Sequence, residues 1–184
     1  HNPTLRFDGY IGLSLISKFL TTVDYGELKF SLTRKDSELA KTIPLDNAVP
    51  LRLTSSGFLS GEVQLEGVEA RLNFIVDTGA SVSVISDEIA TVATVSPGLR
   101  EERLRVIGSA GITENVPSYD LPKLSFAEHT RSDVMAIALD LGIINEASGF
   151  TQAGILGGNF LKNFPMTFDF KNSRVVFTPV KEPQ

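Results

Sequence analysis

"FIVDTGASVSVIS", Phe74 to Ser86, decides how the chain reads. An apolar run enters Asp77-Thr78-Gly79-Ala80-Ser81 and a second apolar run leaves it. Carboxylates are almost never fully buried unless paired, so an aspartate emerging directly from "FIV" needs a reason. At a sharp turn closing a strand, the carboxylate is held by the scaffold rather than by a loop. Gly79 has no Cβ, so its backbone can approach and donate a hydrogen bond. The hydroxyls of Thr78 and Ser81 are expected to satisfy the remaining oxygen lone pairs. One such carboxylate can bind a water, but cannot both take a proton from it and give one to a leaving group. A second carboxylate, too close for both to ionise, would share a proton with the first and divide the work into base and acid.

Composition sets bounds on the alternatives. The chain has 184 residues, 42% apolar and 21% charged, with a net charge of −5. That is an ordinary globular composition with no basic excess to attract nucleic acid. The absence of cysteine excludes disulfides and a thiol nucleophile but leaves the compartment undecided. Two well-separated histidines, His1 and His129, argue against a histidine-rich metal site, and no metal or cofactor is expected. No apolar run reaches the ~18 to 20 residues that span a bilayer. "GYIGLSLISKFL", residues 9–20, lacks the flanking charge and cleavage site of a signal peptide.

Strand periodicity dominates. "GELKFSLTR" alternates at Leu28, Phe30 and Leu32. "GEVQLEGVEARLNFIVD" predicts two strands joined at Glu66-Gly67. "RLRVIGSAGITENVPSYD" predicts a hairpin tipped by Gly108 and Gly111. "LSFAEHTRSDVMAIALDL" reads as one or two strands, and "MTFDF" with "SRVVFTPV" as a final hairpin. Short helices are expected in "SDEIATV", "GGNFLKNF" and "LSLISKF", and residues 34–50, with their charges and prolines, read as a connector. The class is mainly β with two or three short helices.

Two of these helical segments, "LSLISKF" and "GGNFLKNF", belong to a repeat. "GYIGLSLISKFLTTVDY" from Gly9 aligns without a gap with "GILGGNFLKNFPMTFDF" from Gly154, an offset of 154 − 9 = 145 positions. Gly9, Gly12, Phe19, Thr22 and Asp24 match Gly154, Gly157, Phe164, Thr167 and Asp169. A two-residue shift in the following turn then brings "LKF" at 28–30 onto "VVF" at 175–177. Helix amphipathy alone does not demand matching Gly, Thr and Asp. The expected organisation is a C-terminal remnant of a preceding lobe over residues 1–36, a linker over 37–50, and a complete lobe over 51–184. The counterpart of Asp77 would then fall roughly 68 residues upstream of His1.

Together, "FIVDTGASVSVIS", the glycine-tipped hairpin some 30 residues on and "AGILGGNFL" about 77 residues after Asp77 resemble the retropepsin-like aspartic protease domain found in bacteria and retroviruses. The resemblance covers roughly residues 51–180 and implies a folded, closed β-barrel lobe with a flap hairpin and one or two short helices. It makes Asp77 the catalytic aspartate, with Thr78, Gly79, Ala80 and Ser81 supporting its loop. It makes the segment from about Val106 to Val116 a flap, with Ile107, Gly108, Ser109, Ala110 and Gly111 facing substrate. Ile155-Leu156-Gly157 becomes the apolar-apolar-glycine unit beneath the catalytic loop, and Tyr10-Ile11-Gly12 the same unit of a preceding lobe. The implied activity is endopeptidase action on a peptide or protein, with the second aspartate supplied by a second lobe or an identical subunit. The alternative is a catalytically silent scaffold that binds peptides or holds an assembly. The compartment stays open among periplasm, cell surface and cytosol, and the resemblance slightly favours the first two.

Other candidates read more simply. "GILGGNF" has no Lys-Ser/Thr after it and matches no phosphate loop. Ser81, His129 and Asp133 form a Ser-His-Asp triad only on paper, and His129 in "AEHTRSD" is expected on a solvated turn. Asp24 and Asp169 are expected to face outward from strands. Asp140, in an apolar setting, is expected to be buried with a backbone partner, and Met135 and Met166 are core or strand residues.

Overall fold

The computed structural model describes residues 11–108 and 111–178. A single helical turn, α1 (Leu13–Ile16), leads into the hairpin of β1 (Phe19–Asp24) and β2 (Lys29–Arg34). The connector is not structureless. It holds α2 (Glu38–Lys41), capped by the Ser37 hydroxyl accepting from the Ala40 N–H, and ends in β3 (Val49–Pro50), after which comes β4 (Arg52–Leu53). There follow β5 (Leu59–Leu65), β6 (Leu72–Val76), β7 (Ser83–Ser86) and α3 (Asp87–Ala90). Ser86 caps α3 by accepting from the Ile89 N–H, with Asp87 and Glu88 in its first turn. The chain continues through β8 (Leu104–Gly108), β9 (Gly111–Val116), β10 (Ser118–Asp120), β11 (Leu124–Phe126), β12 (His129–Arg131) and β13 (Met135–Leu139). It closes with α4 (Gly142–Ser148), β14 (Gly154–Leu156), α5 (Gly158–Leu161), β15 (Met166–Asp169) and β16 (Arg174–Phe177).

The large sheet runs β10-β13-β7-β14-β6-β5-β11-β12, with β4 added against β5. Its centre is β14, parallel to β6 and antiparallel to β7. Central strands have both faces covered, which is why "FIV" and "SVIS" are buried along their length instead of alternating. The sheet separates two apolar clusters. Phe74, Leu156, Phe160 and Leu161 belong to the larger, and Val84, Val116, Ile137 and Leu141 to the smaller. Each such side chain taken from water stabilises the fold by roughly 1.5–3 kcal/mol.

A second sheet runs β2-β1-β15-β16-β3, and here the two repeat copies meet. β1 lies antiparallel to β15 with Thr22 opposite Thr167, its counterpart at the 145-residue offset, and their hydroxyls are 2.8 Å apart. Within the hairpins Thr22 faces Ser31 and Thr167 faces Val176, so one offset serves both strands. The two-residue shift expected from "LKF" and "VVF" is therefore corrected: Phe30, not Leu28, is the counterpart of Val175.

Other expectations also give way. Residues 142–148 form α4, which carries no Ser, Thr or Asp at its cap. Asp140, two residues before it, instead accepts from the Gly142 N–H at 2.7 Å, and its side chain is exposed rather than buried. The stretch 124–141 gives three strands, not one or two. His129 is not on a solvated turn: its ring lies 4.5 Å from the Phe164 ring and 4.3 Å from Phe177, and burial holds its pKa below the ordinary value against the opposing charge of Glu128.

Asp169 is the clearest reversal. It is 2% exposed, because β15 is an inner strand covered on both faces. Lys35 reaches one carboxylate oxygen at 2.9 Å, and Asn172 and Arg174 donate to the other at 2.5 and 3.2 Å. Burial by itself would raise the pKa, but the bonds from Asn172 and Lys35, the Lys35 charge and Arg174 together bring it below the usual carboxylate range. Its stabilising contribution is then fully present above the unfolded pKa and lost as pH falls through the folded value. Asp169→Asn should cost roughly 2 kcal/mol at neutral pH, and urea unfolding should show the gap to wild type shrinking on acidification. A gap independent of pH would contradict the ion pairing.

Candidate active site

β6 delivers Asp77 to the solvent side of the sheet, where its side chain is half-buried rather than fully desolvated. The Asp77 N–H donates to the Leu156 carbonyl at 3.0 Å, anchoring the residue to β14. One carboxylate oxygen accepts from the Gly79 N–H at 2.8 Å. The other expected partners differ: Thr78 and Ser81 are exposed, and among the described residues neither hydroxyl bonds the carboxylate. Thr78 contributes its backbone carbonyl, which accepts from the Tyr25 hydroxyl at 2.8 Å. Burial, and next the nearby Asp77 charge, push the Tyr25 phenol above its ordinary pKa.

Ile155, Leu156 and Gly157 lie directly against this turn. Leu156 is buried in the larger cluster, while Ile155 points the other way into the smaller one, as strand alternation requires. At Gly157 a Cβ would come within 2.3 Å of the Val82 carbonyl oxygen, so only glycine permits this approach. Its N–H donates to the Ser83 hydroxyl, and the next two N–H groups donate to the carbonyls of Ala80 (2.6 Å) and Ser81 (3.2 Å). The start of α5 thus holds the Asp77–Ser81 turn by its carbonyls. Asn159 adds a brace: its side-chain carbonyl oxygen accepts from the Ser83 N–H and hydroxyl, and its amide donates to the Met135 carbonyl.

β8 and β9 form a separate two-stranded sheet, with Ile107 and Ile112 exposed at 68% and 55%. Its base, Leu104, Val106 and Val116, packs on the smaller cluster beside Ile155. Gly108 and Gly111 face each other at its far end, Gly111 with φ +124. Ser109, Ala110 and Tyr10 lie outside the described residues. Ser81, His129 and Asp133 do not converge: His129 packs on Phe164 and Phe177, and Asp133 pairs with Arg131.

Asp77 and Thr78 also line a cavity of about 250 Å³ with Leu13, Ile16, Phe168 and Phe170, and among the described residues no other carboxylate lines it. A larger cleft of about 620 Å³, over Leu51, Ser60 and Asn73, excludes Asp77. Among the described residues no group of three His, Asp or Glu side chains is placed to hold a metal ion, and no helix is long and apolar enough to cross a membrane.

A family model described as aspartyl protease matches residues 61–160, which include Asp77, the hairpin and Ile155-Leu156-Gly157. The chain belongs to the aspartyl protease family. Among solved structures it is similar to a retropepsin-like aspartic protease from Rickettsia conorii, at 15% identity and a TM-score of 0.49, over 71% of this chain and 87% of that one. No curated protein matches.

The aspartyl protease match spans Tyr25's contact, Thr78, but not Tyr25 itself, which sequence reasoning passed over. A signal existed: Tyr25 aligns with the aromatic Phe170 in the repeat. Asn159 and Ser83 carried none, since their roles depend on strands brought together only by folding. Gly157→Ala should shift α5 off the turn and destabilise the protein by roughly 2–3 kcal/mol. Thermal unfolding checks this, and a melting temperature equal to wild type would contradict the close approach.

Proposed function

We propose that the protein is an aspartic endopeptidase in which Asp77 works with a second aspartate from a second lobe or subunit. The observation that carries this is the half-buried Asp77 carboxylate, fixed at a strand end by Gly79 and Leu156 and open to a cavity. Water held between the two carboxylates loses a proton to the ionised one as its oxygen attacks the scissile carbonyl carbon. The protonated partner gives its proton to the carbonyl oxygen. Collapse of the tetrahedral species transfers a proton to the amide nitrogen and breaks the C–N bond, leaving an acid and an amine with no covalent intermediate. In this reading Thr78, Gly79, Ala80 and Ser81 support the turn, and Ile155, Leu156 and Gly157 support it from below. The β8–β9 hairpin is a flap over an extended peptide bound by backbone hydrogen bonds, and Ile107, Gly108, Ser109, Ala110 and Gly111 are its substrate-facing residues. Residues before 37 are the remnant of a preceding lobe, and 51–184 a whole one.

A second reading, a silent peptide-binding scaffold, is favoured for the 184 residues alone because, among the described residues, no other carboxylate lines the cavity at Asp77. Asp77→Asn compared with wild type distinguishes the two: on the catalytic reading wild type cleaves peptide, and on the silent reading neither protein does. On the catalytic reading the substitution should lower peptide cleavage by roughly three orders of magnitude or more while leaving thermal unfolding unchanged. Cleavage retained in that variant would remove the proposed chemistry.

A further inference from the structure

The second sheet contains a local two-fold axis. Exchanging each residue for its counterpart at the 145-residue offset turns the Thr21–Phe168 pair into the Val23–Met166 pair and leaves Thr22–Thr167 in place. β1 and β2 are thereby superposed on β15 and β16.

Burial breaks this symmetry in one direction. Leu156, Phe160 and Val175 are 0% exposed, whereas their counterparts Ile11, Leu15 and Phe30 are 61%, 47% and 50% exposed. The backbone tells the same story. The Leu156 carbonyl receives the Asp77 N–H and the Gly158 N–H donates to Ala80, but the Ile11 carbonyl and Leu13 N–H have no such partner among the described residues. β16 pairs with β3 through Val175 and Val49, while the matching edge of β2 at Phe30 carries no strand among the described residues. Tyr25 crosses the axis to the Thr78 carbonyl. Its counterpart Phe170, with Leu13 and Ile16, walls the cavity beside Asp77.

We infer that the face made by Ile11, Leu15 and Phe30 is the docking surface of a second lobe of the same fold, related to the described lobe by the axis between Thr22 and Thr167. That lobe's aspartate turn rests on Ile11 and Leu13 and enters the cavity beside Asp77. This rests on the proposed reading of Asp77 and names its partner. The same axis excludes the symmetric homodimer, because β1 already holds the edge of β15 that a second copy's β15 would require.

The chain has no cysteine, so engineered thiols report cleanly. Oxidised Thr22→Cys/Thr167→Cys should form a bridge within one chain, and Thr167→Cys alone should give no covalent dimer. Separately, Leu15→Cys is treated with a thiol reagent in the 184-residue chain and in the protein made from its whole reading frame. The thiol should react about tenfold or more slowly in the latter, where the docked lobe covers it. Equal reactivity, including the case in which the reading frame supplies no further lobe, overturns the inference, as does efficient Thr167→Cys dimerisation. The outcomes separate from those of the catalytic reading. Protection of the Leu15→Cys thiol without peptidase activity removes only the chemistry. An active dimer cross-linked through the Thr167→Cys thiol removes only the docking surface.

Discussion

The hydrogen bond from the Asp77 N–H to the Leu156 carbonyl is the constraint on which the site depends. It joins the end of β6 to β14, and it forms only because Gly157 lets the backbone pass within contact of Val82. α5 then begins at once and turns its first N–H groups onto the carbonyls of Ala80 and Ser81. The Asp77–Ser81 turn is therefore held mainly by backbone groups. Its side chains stay free for other work, and Thr78 and Ser81 remain exposed. A carboxylate positioned in this way loses little entropy when it binds water or substrate, which is the physical meaning of preorganisation.

The same unit, a helical turn followed by a hairpin, occurs twice, and its two copies face each other across Thr22 and Thr167. In the C-terminal copy the apolar positions are filled by the lobe's own core. In the N-terminal copy Ile11, Leu15 and Phe30 are open to solvent. Register is identical and burial is not: the geometry that leaves one face uncovered also leaves a cavity beside the Asp77 carboxylate. Exposed apolar groups clustered in this way mark an interaction surface more often than a solvated one.

Much of this was legible in the sequence because the decisive signals were local. The apolar entry into Asp77, the glycines at 108 and 111, and the gapless match of Gly12, Thr22 and Asp24 with Gly157, Thr167 and Asp169 predict strands, a hairpin and a repeat. The illegible parts depended on tertiary placement. Asp169 looked outward because "TFDF" can be read with either face exposed, and only the neighbouring β1 and Lys35 bury it. His129 lay in a polar string, yet Phe164 and Phe177 come from far along the chain to cover it. α4 had no capping residue at its start, because its cap-like bond comes from Asp140 outside the helix. The partners of the Asp77 carboxylate were overestimated for a related reason, since proximity in sequence does not aim a hydroxyl.

Calorimetric titration with a peptide whose scissile bond is replaced by a tetrahedral secondary alcohol tests the central claim most directly. In the proposed chemistry that group would take the place of the attacking water between two carboxylates, so tight binding would require both of them. In the protein made from its whole reading frame, one mimic should bind per Asp77, and Asp77→Asn should weaken binding by about a hundredfold or more. Equal affinity in wild type and Asp77→Asn would contradict the account.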